Sequence, residues 1–248
     1  MTKILIAGES WTSHTIHIKG FDTFTTSKYE EGVKWFKEGL EKNGVEVDYI
    51  PNHLAPEKFP VTLEELKKYD VVFLSDIGSN TLLLPDQVFA KGMKVPNRCE
   101  LLKEYVNEGG AFVMIGGYMS FTGVDAKTRY GETAVKDILP VKLLDKDDRQ
   151  ELPQGVNPKK VKEHKIFEGI DEEFPYFLGY NKTIGCSEIG EILAEINGDP
   201  FIAAGNFGKG KSLAFTSDFA PHWGSMEFVE WKYYDKLWMN IISWLTEK

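Results

Sequence analysis

Groups able to bind or activate a polar molecule fall into four short stretches of this sequence. The first two are Gly8-Glu9-Ser10-Trp11 and Ser75-Asp76 with Ser79 and Asn80. Each sets carboxylates and hydroxyls just after an apolar run. The third, Ile115-Gly116-Gly117-Tyr118-Met119-Ser120-Phe121, breaks an apolar run at two glycines. A sharp turn there is where a nucleophile elbow exposes Ser or Cys, and the residue offered is Tyr118, with Ser120 two places on. A phenol of ordinary pKa near ~10 needs strong help to attack at neutral pH. A glycine turn that lets backbone approach backbone accounts for the same residues. The fourth stretch, Thr216-Ser217-Asp218-Phe219-Ala220-Pro221-His222-Trp223, is the densest. It offers His222 as a general base; alternatively it is a loop in which Asp218 caps backbone and Trp223 packs.

Other patterns invite chemistry that their context does not support. Gly205-Asn206-Phe207-Gly208-Lys209-Gly210-Lys211-Ser212 fits the phosphate-binding loop letter for letter. That loop needs a helix directly after it, and Leu213-Ala214-Phe215-Thr216 reads as a strand, so a hairpin turn is expected. His14 and His17 are three apart and could hold a metal from one helical turn, but no acidic or cysteine ligand stands beside them at a recognised spacing. They read as two loop histidines. Cys99 shares a helical stripe with Leu102 and Val106 and reads as a buried thiol, and nothing near Cys186 would activate it.

These stretches must be positioned by the elements between them. Ile4 to Ala7, Val71 to Leu74 and Ala111 to Ile115 are short apolar runs, as expected of parallel strands buried on both faces. Tyr29, Val33, Phe36 and Leu40 recur at helical spacing and end at Gly44. Thr62 with Glu65, and Asn97 with Glu100, have the spacing of capping boxes. Strand and helix alternate, which predicts an α/β fold: a mostly parallel sheet with helices on both faces, in flavodoxin-like order. Residues 142–185, rich in charge, Pro and Gly, read as an irregular insertion. Residues 189–216 then form an antiparallel meander, and Trp231, Tyr234, Trp238, Ile241 and Leu245 form the apolar face of a closing helix. Polar residues past the carboxyl ends of parallel strands converge on one crevice, so the four stretches are expected to meet.

The 248 residues, 42% of them hydrophobic, suffice for one domain over 1–248. A formal charge of -9 argues against nucleic-acid and anionic-membrane partners. Two cysteines, no apolar run near the ~20 residues of a membrane span and no cleavage pattern at the N-terminus point to the cytoplasm. A homo-oligomer is expected on base rates alone.

At these residues the chain resembles the glutamine amidotransferase-like family of bacterial cytoplasmic proteins, a branch of the class I glutamine amidotransferase-like superfamily. Glu9-Ser10-Trp11, Ser75 to Asn80, Gly116 to Phe121 and Ser217-Asp218 with Pro221-His222-Trp223 carry the resemblance. So do Ile138 to Val141, Asp147-Asp148-Arg149 and Gly179-Tyr180-Asn181. The resemblance implies a flavodoxin-like core. It does not imply the superfamily's reaction, which uses a cysteine at the elbow and a histidine with a nearby glutamate. Here Tyr118 stands at the elbow and His222 at the histidine's place, with Trp223 and Gly224 after it, and no thioester can form on a phenol.

The expected function is binding of a small polar molecule, of sugar or amide type, without glutaminase activity. Glu9, Ser10, Trp11, Asp76, Gly117, Tyr118, Ser120, Asp218, His222 and Trp223 would line the site. Arg149, Tyr180 and Asn181 would enter from the insertion, with Arg149 pairing an anionic group. No cofactor and no metal are expected. Two other readings stand beside this one. The first is a hydrolase or transferase using His222 as base with Tyr118 or Ser120, a variant of which holds a metal at His14, His17 and Asp76. The second is an interaction module with a vestigial pocket.

Overall fold

A computed structural model describes residues 1–247. Twelve strands are formed: β1 Lys3–Gly8, β2 Ser10–Lys19, β3 Asp22–Glu31, β4 Glu46–Ile50, β5 Val71–Ser75, β6 Ala111–Ile115, β7 Arg149–Val156, β8 Lys159–Lys160, β9 Phe177–Asn181, β10 Gly190–Ile196, β11 Asp199–Phe207 and β12 Gly210–Phe215. Eight of them make one sheet in the order β4-β1-β5-β6-β12-β11-β10-β8. The neighbours from β4 to β12 run parallel, and β12-β11-β10-β8 run antiparallel. This is the expected flavodoxin-like sandwich with its C-terminal meander, and the strand order reverses at β1, between β4 and β5.

The central strands are fully buried because successive side chains leave them on opposite faces and both faces are covered. Ile4, Ile6, Phe73, Val113 and Ile115 pack on one face with Phe36 and Leu40 of the helix Lys34–Lys42 and Trp238 and Ile241 of the helix Tyr234–Thr246. Leu5, Ala7, Val72, Leu74, Phe112 and Met114 pack on the other with Leu102 and Val106 of the helix Arg98–Asn107. Thr62 and Glu65 form the expected capping box, whereas Asn97 caps its helix alone, accepting from the Cys99 and Glu100 amides.

Two segments differ from expectation. Residues 10–31 are neither loop nor helix: Thr12, Thr15, Ile16, Ile18, Thr23, Thr25 and Thr26 suit a pleated strand, and β2 pairs with β3 along ten registered residues. Tyr29 therefore lies on β3, and the helix begins only at Lys34, capped by Val33. Residues 142–185 are not irregular throughout, since β7 and β9 pair antiparallel there and β8 closes the edge of the large sheet. The phosphate-loop look-alike is the β11–β12 hairpin, and a strand follows it, as expected.

The point that sets the crevice is Gly8. Its φ is +110°, and a Cβ there would lie 1.8 Å from the Ser75 carbonyl oxygen. Only glycine lets β1 close on β5 and then turn away. Gly8→Ala is expected to lower the free energy of unfolding by at least ~2 kcal/mol in urea titrations. An unchanged midpoint would contradict this role.

Candidate functional site

Because β1, β5, β6 and β12 are mutually parallel, their carboxyl ends lie at one rim, and the four polar stretches follow from them. Glu9 and Asp76 each stand just past a strand with φ +48°, a left-handed conformation that non-glycine residues rarely adopt. The pair occupies the turns on either side of the point where the strand order reverses. Gly117, at φ +145°, leaves room for Asp76, whose Oδ1 would lie 2.8 Å from a Cβ built there.

Three carboxylates occupy this rim. Glu9 is 6% exposed and accepts a 2.6 Å hydrogen bond from the Ser75 hydroxyl. Burial, then the charges of Asp218 and Asp76, hold its carboxyl well above the usual range. Asp76 accepts from the Met119 amide at 2.6 Å, while its own amide donates to Ser120 Oγ at 3.0 Å. Burial and the neighbouring Asp218 raise it to about 6. Asp218 is 3% exposed and accepts from the Trp223 amide at 3.0 Å.

Asp218 also holds His222, with Oδ2 2.6 Å from Nδ1. Burial lowers the imidazole's proton affinity, but the Asp218 bond and the charges of Asp218, Asp76 and Glu151 outweigh it, so the pKa is raised. Tyr118 meets the His222 ring edge to face, with centroids 4.8 Å apart. Its hydroxyl donates to Glu151 at 2.8 Å, and the Trp223 indole N–H donates to the same carboxylate at 3.0 Å. Burial and Glu151 raise the phenol's pKa, which disfavours phenolate. The Arg149 guanidinium lies over the Tyr118 ring, 4.8 Å from its centroid, and is paired with Asp147.

Other side chains hold this arrangement in place. Asn181, fully buried, accepts from the Gly117 amide at 2.9 Å and donates to the Gly117 carbonyl and to Asp148. Asp148 in turn accepts from the Thr122 and Gly123 amides, fixing the turn that carries Tyr118. Ser10 Oγ accepts from the Asn52 amide, and Asn52 Nδ2 bridges the Ser10 and Asp76 carbonyls.

Glu9, Asp76, Gly117, Tyr118, Ser120, Arg149, Asn181, Asp218, His222 and Trp223 are thus linked by contacts, with Ser10 joined through Asn52. Two candidates are not. Tyr180 faces the core on the other side of β9 and donates to Asp199, because strand neighbours of Asn181 must point the opposite way. Trp11 stands on the β2–β3 ribbon opposite Glu30, 39% exposed.

His14 and His17 also stand on this ribbon. Three residues apart on a strand puts them on opposite faces, where His14 bonds Ser27 and His17 stacks on Phe24, so they cannot share a metal. Among the described residues no cluster of three His, Cys, Asp or Glu side chains could hold a metal ion. Neither cysteine is at the elbow: Cys99 is buried in its helix, its thiol pushed up to about 11, and Cys186 pairs with Val141 in an isolated antiparallel backbone bridge.

Glu151 and Asn52 were missed. Glu151 was legible only as the residue two past Arg149, hence on the same face if 149–156 is a strand. A cavity of about 600 Å³ lies at the other end of the strands, beside Asp70, Gly110 and Gly210, and no candidate residue lines it.

The raised carboxyls make stability depend on pH. Asp76 and Asp148 titrate at about 6 when folded, both through burial, against ~3.9 in an unfolded chain. Between these values the folded state holds protons that the unfolded state has lost. The contribution of these two groups to stability is therefore greatest below pH ~4 and is lost as pH rises through 6, opposite in sense to that of the lowered Asp147 carboxyl. Asp76→Asn should flatten this decline in urea unfolding measured from pH 4 to 7, and an unchanged slope would contradict the assignment.

Comparison with known proteins agrees with this architecture. The family described as "Putative glutamine amidotransferase" (GATase1-like) matches residues 3–247. The cytoplasmic protein STM3548 from Salmonella typhimurium is 44% identical, with TM-score 0.95, over 99% of this chain and 99% of that one. The cytoplasmic protein STM1381 from the same organism is 46% identical, with TM-score 0.95, over 99% and 100%. A ThuA-like protein from Bacteroides uniformis, at 12% identity and TM-score 0.56 over 100% and 92%, shares the fold alone. No curated protein matches. The coverage of nearly the whole chain, with two relatives above 40% identity, shows that this protein belongs to the GATase1-like family of glutamine amidotransferase-like proteins.

Proposed function

We propose that the rim binds a small, hydroxyl- or amide-bearing molecule of sugar type and has no glutaminase activity. The observation that carries this reading is the placement of the buried Glu9 and Asp218 and the half-buried Asp76 just past the carboxyl ends of parallel strands, beside the aromatic rings of Tyr118, His222 and Trp223. Carboxylates accept hydrogen bonds from ligand hydroxyls or amides, and aromatic rings pack on the apolar face of a sugar. An anionic ligand would sit among carboxyl groups that already disfavour one another's ionisation, and Arg149 is already paired with Asp147, so a neutral ligand is favoured over an anionic one. A thioester needs sulfur, and the residue at the elbow is a phenol whose pKa is raised rather than lowered.

A second reading rests on the Asp218–His222 pair. An imidazole held through Nδ1 by a buried carboxylate is oriented as a general base. The Tyr118 hydroxyl is turned to Glu151 and the Ser120 hydroxyl to the Asp76 amide, so water is the nucleophile that such a base would activate. A cytoplasmic location belongs to the reading too, since both Salmonella relatives carry that label.

Thermal-shift screening against sugars, amino acids and nucleotides tests the proposal. Near-saturating neutral sugar or polyol, at ~100 times Kd, should raise Tm by about 5 °C or more. Asp76→Ala and His222→Ala should abolish the shift, and glutamine should release no ammonia. Nucleotides as the best ligands, or glutamine turnover, would contradict it. Hydrolysis of ester, amide or glycoside substrates that His222→Ala removes would favour the second reading.

A further inference from the structure

The β2–β3 ribbon stands away from the rest of the molecule. Nearly every residue of both strands is exposed, and the two strands pack mainly on each other. Attachment is confined to the root, where Ser10 bonds Asn52, the Gly32 amide donates to the Glu9 carbonyl and Tyr29 packs against His53. An isolated two-stranded hairpin is marginally stable in water, and this one exposes Ile16 by 68%, Ile18 by 73% and the tip residue Phe21 completely.

Its two faces are not alike. Strand alternation and the pairing register put Thr12, His14, Ile16, Ile18, Thr23, Thr25, Ser27 and Tyr29 on one face. Beyond Glu31 at the root, that face has no acidic or Lys/Arg side chain. The other face carries Lys19, Asp22, Lys28 and Glu30 beside Trp11, His17 and Phe24. A ribbon face of hydroxyl-bearing and apolar side chains around Ile16 and Ile18, with no Lys, Arg, Asp or Glu beyond its root, can be covered without taking a fixed charge out of water, on a protein of formal charge -9.

We propose that this face is a self-association arm, which docks on a second copy of this chain, each arm reaching the other subunit about a two-fold axis. Area favours the reciprocal arrangement. Ten residues at ~3.4 Å each make a ribbon about 34 Å long and about 10 Å wide. One docked face removes too little surface for a stable complex, whereas two reciprocal contacts bury about 1,400 Å² in total, within the ordinary range for specific interfaces. Charge disfavours two other occupants, since the acidic body repels nucleic acid and anionic membranes, while the nearly neutral arm lets two like-charged bodies meet.

Sedimentation velocity of the full chain across micromolar concentrations tests the proposal. The wild type should sediment at the mass of two chains. Ile16→Lys with Ile18→Lys should weaken association at least ~100-fold while circular dichroism shows a folded body, because neither side chain reaches the core. Ser13→Lys with Thr15→Lys, which adds the same charge to the opposite face, should leave association intact. A single-chain mass for the wild type at ~100 μM, an isoleucine double variant that still pairs, or equal loss from both double variants would each overturn it.

Discussion

Three carboxylates held together at one end of a parallel sheet are the constraint on which the rest of this structure turns. Taking a carboxylate out of water costs several kcal/mol unless protonation or hydrogen bonding compensates. Both responses are present here. Ser75, the Met119 and Trp223 amides and His222 each bond one of the three, and Glu9 and Asp76 are pushed toward their neutral forms. The left-handed backbone at Glu9 and Asp76 adds ~1–3 kcal/mol of strain at each. Such a rim persists because the strands below it are buried on both faces, so their apolar side chains supply the free energy that the rim lacks.

Strand order explains why the strain sits where it does. At β1 the connections diverge to β4 on one side and to β5 on the other, and chain leaving the carboxyl ends opens a crevice between them. Gly8 brings β1 onto β5, and Glu9 then turns the chain outward into the β2–β3 ribbon. The same residue thus contributes a carboxylate to the crevice and roots the arm. On the far side, Asn181 and Asp148 clamp the Gly117–Gly123 turn, so Tyr118 is presented by a scaffold rather than by a free loop.

The sheet was legible because Ile4–Ala7, Val71–Leu74 and Ala111–Ile115 are continuous apolar runs, which few structures other than doubly covered strands produce. The gathering of Glu9, Asp76, Tyr118 and Asp218 followed from their places after those runs. The ribbon was not legible, since Ser10–Glu31 alternates hydroxyl, apolar and charged residues that bury no face of their own. Glu151 was hidden for a related reason: β7 is largely exposed or half-buried and pairs with β9, so residues 149–156 had no buried run to announce a strand. Tyr180 and Asn181 stood together in sequence, but a strand sends neighbours to opposite faces, and only Asn181 reached the rim.

Membership of the GATase1-like family accords with the observed fold. In the proposed reading, the phenol, imidazole and indole form an aromatic wall and the carboxylates form a floor of acceptors. The most direct measurement is a crystal structure of the protein grown with the neutral sugar or polyol that stabilises it most. The account predicts density for that molecule against Tyr118 and His222, with a hydroxyl hydrogen-bonded to Asp76. A ligand bound at the amino ends of the strands, with the rim filled by water alone, would contradict it.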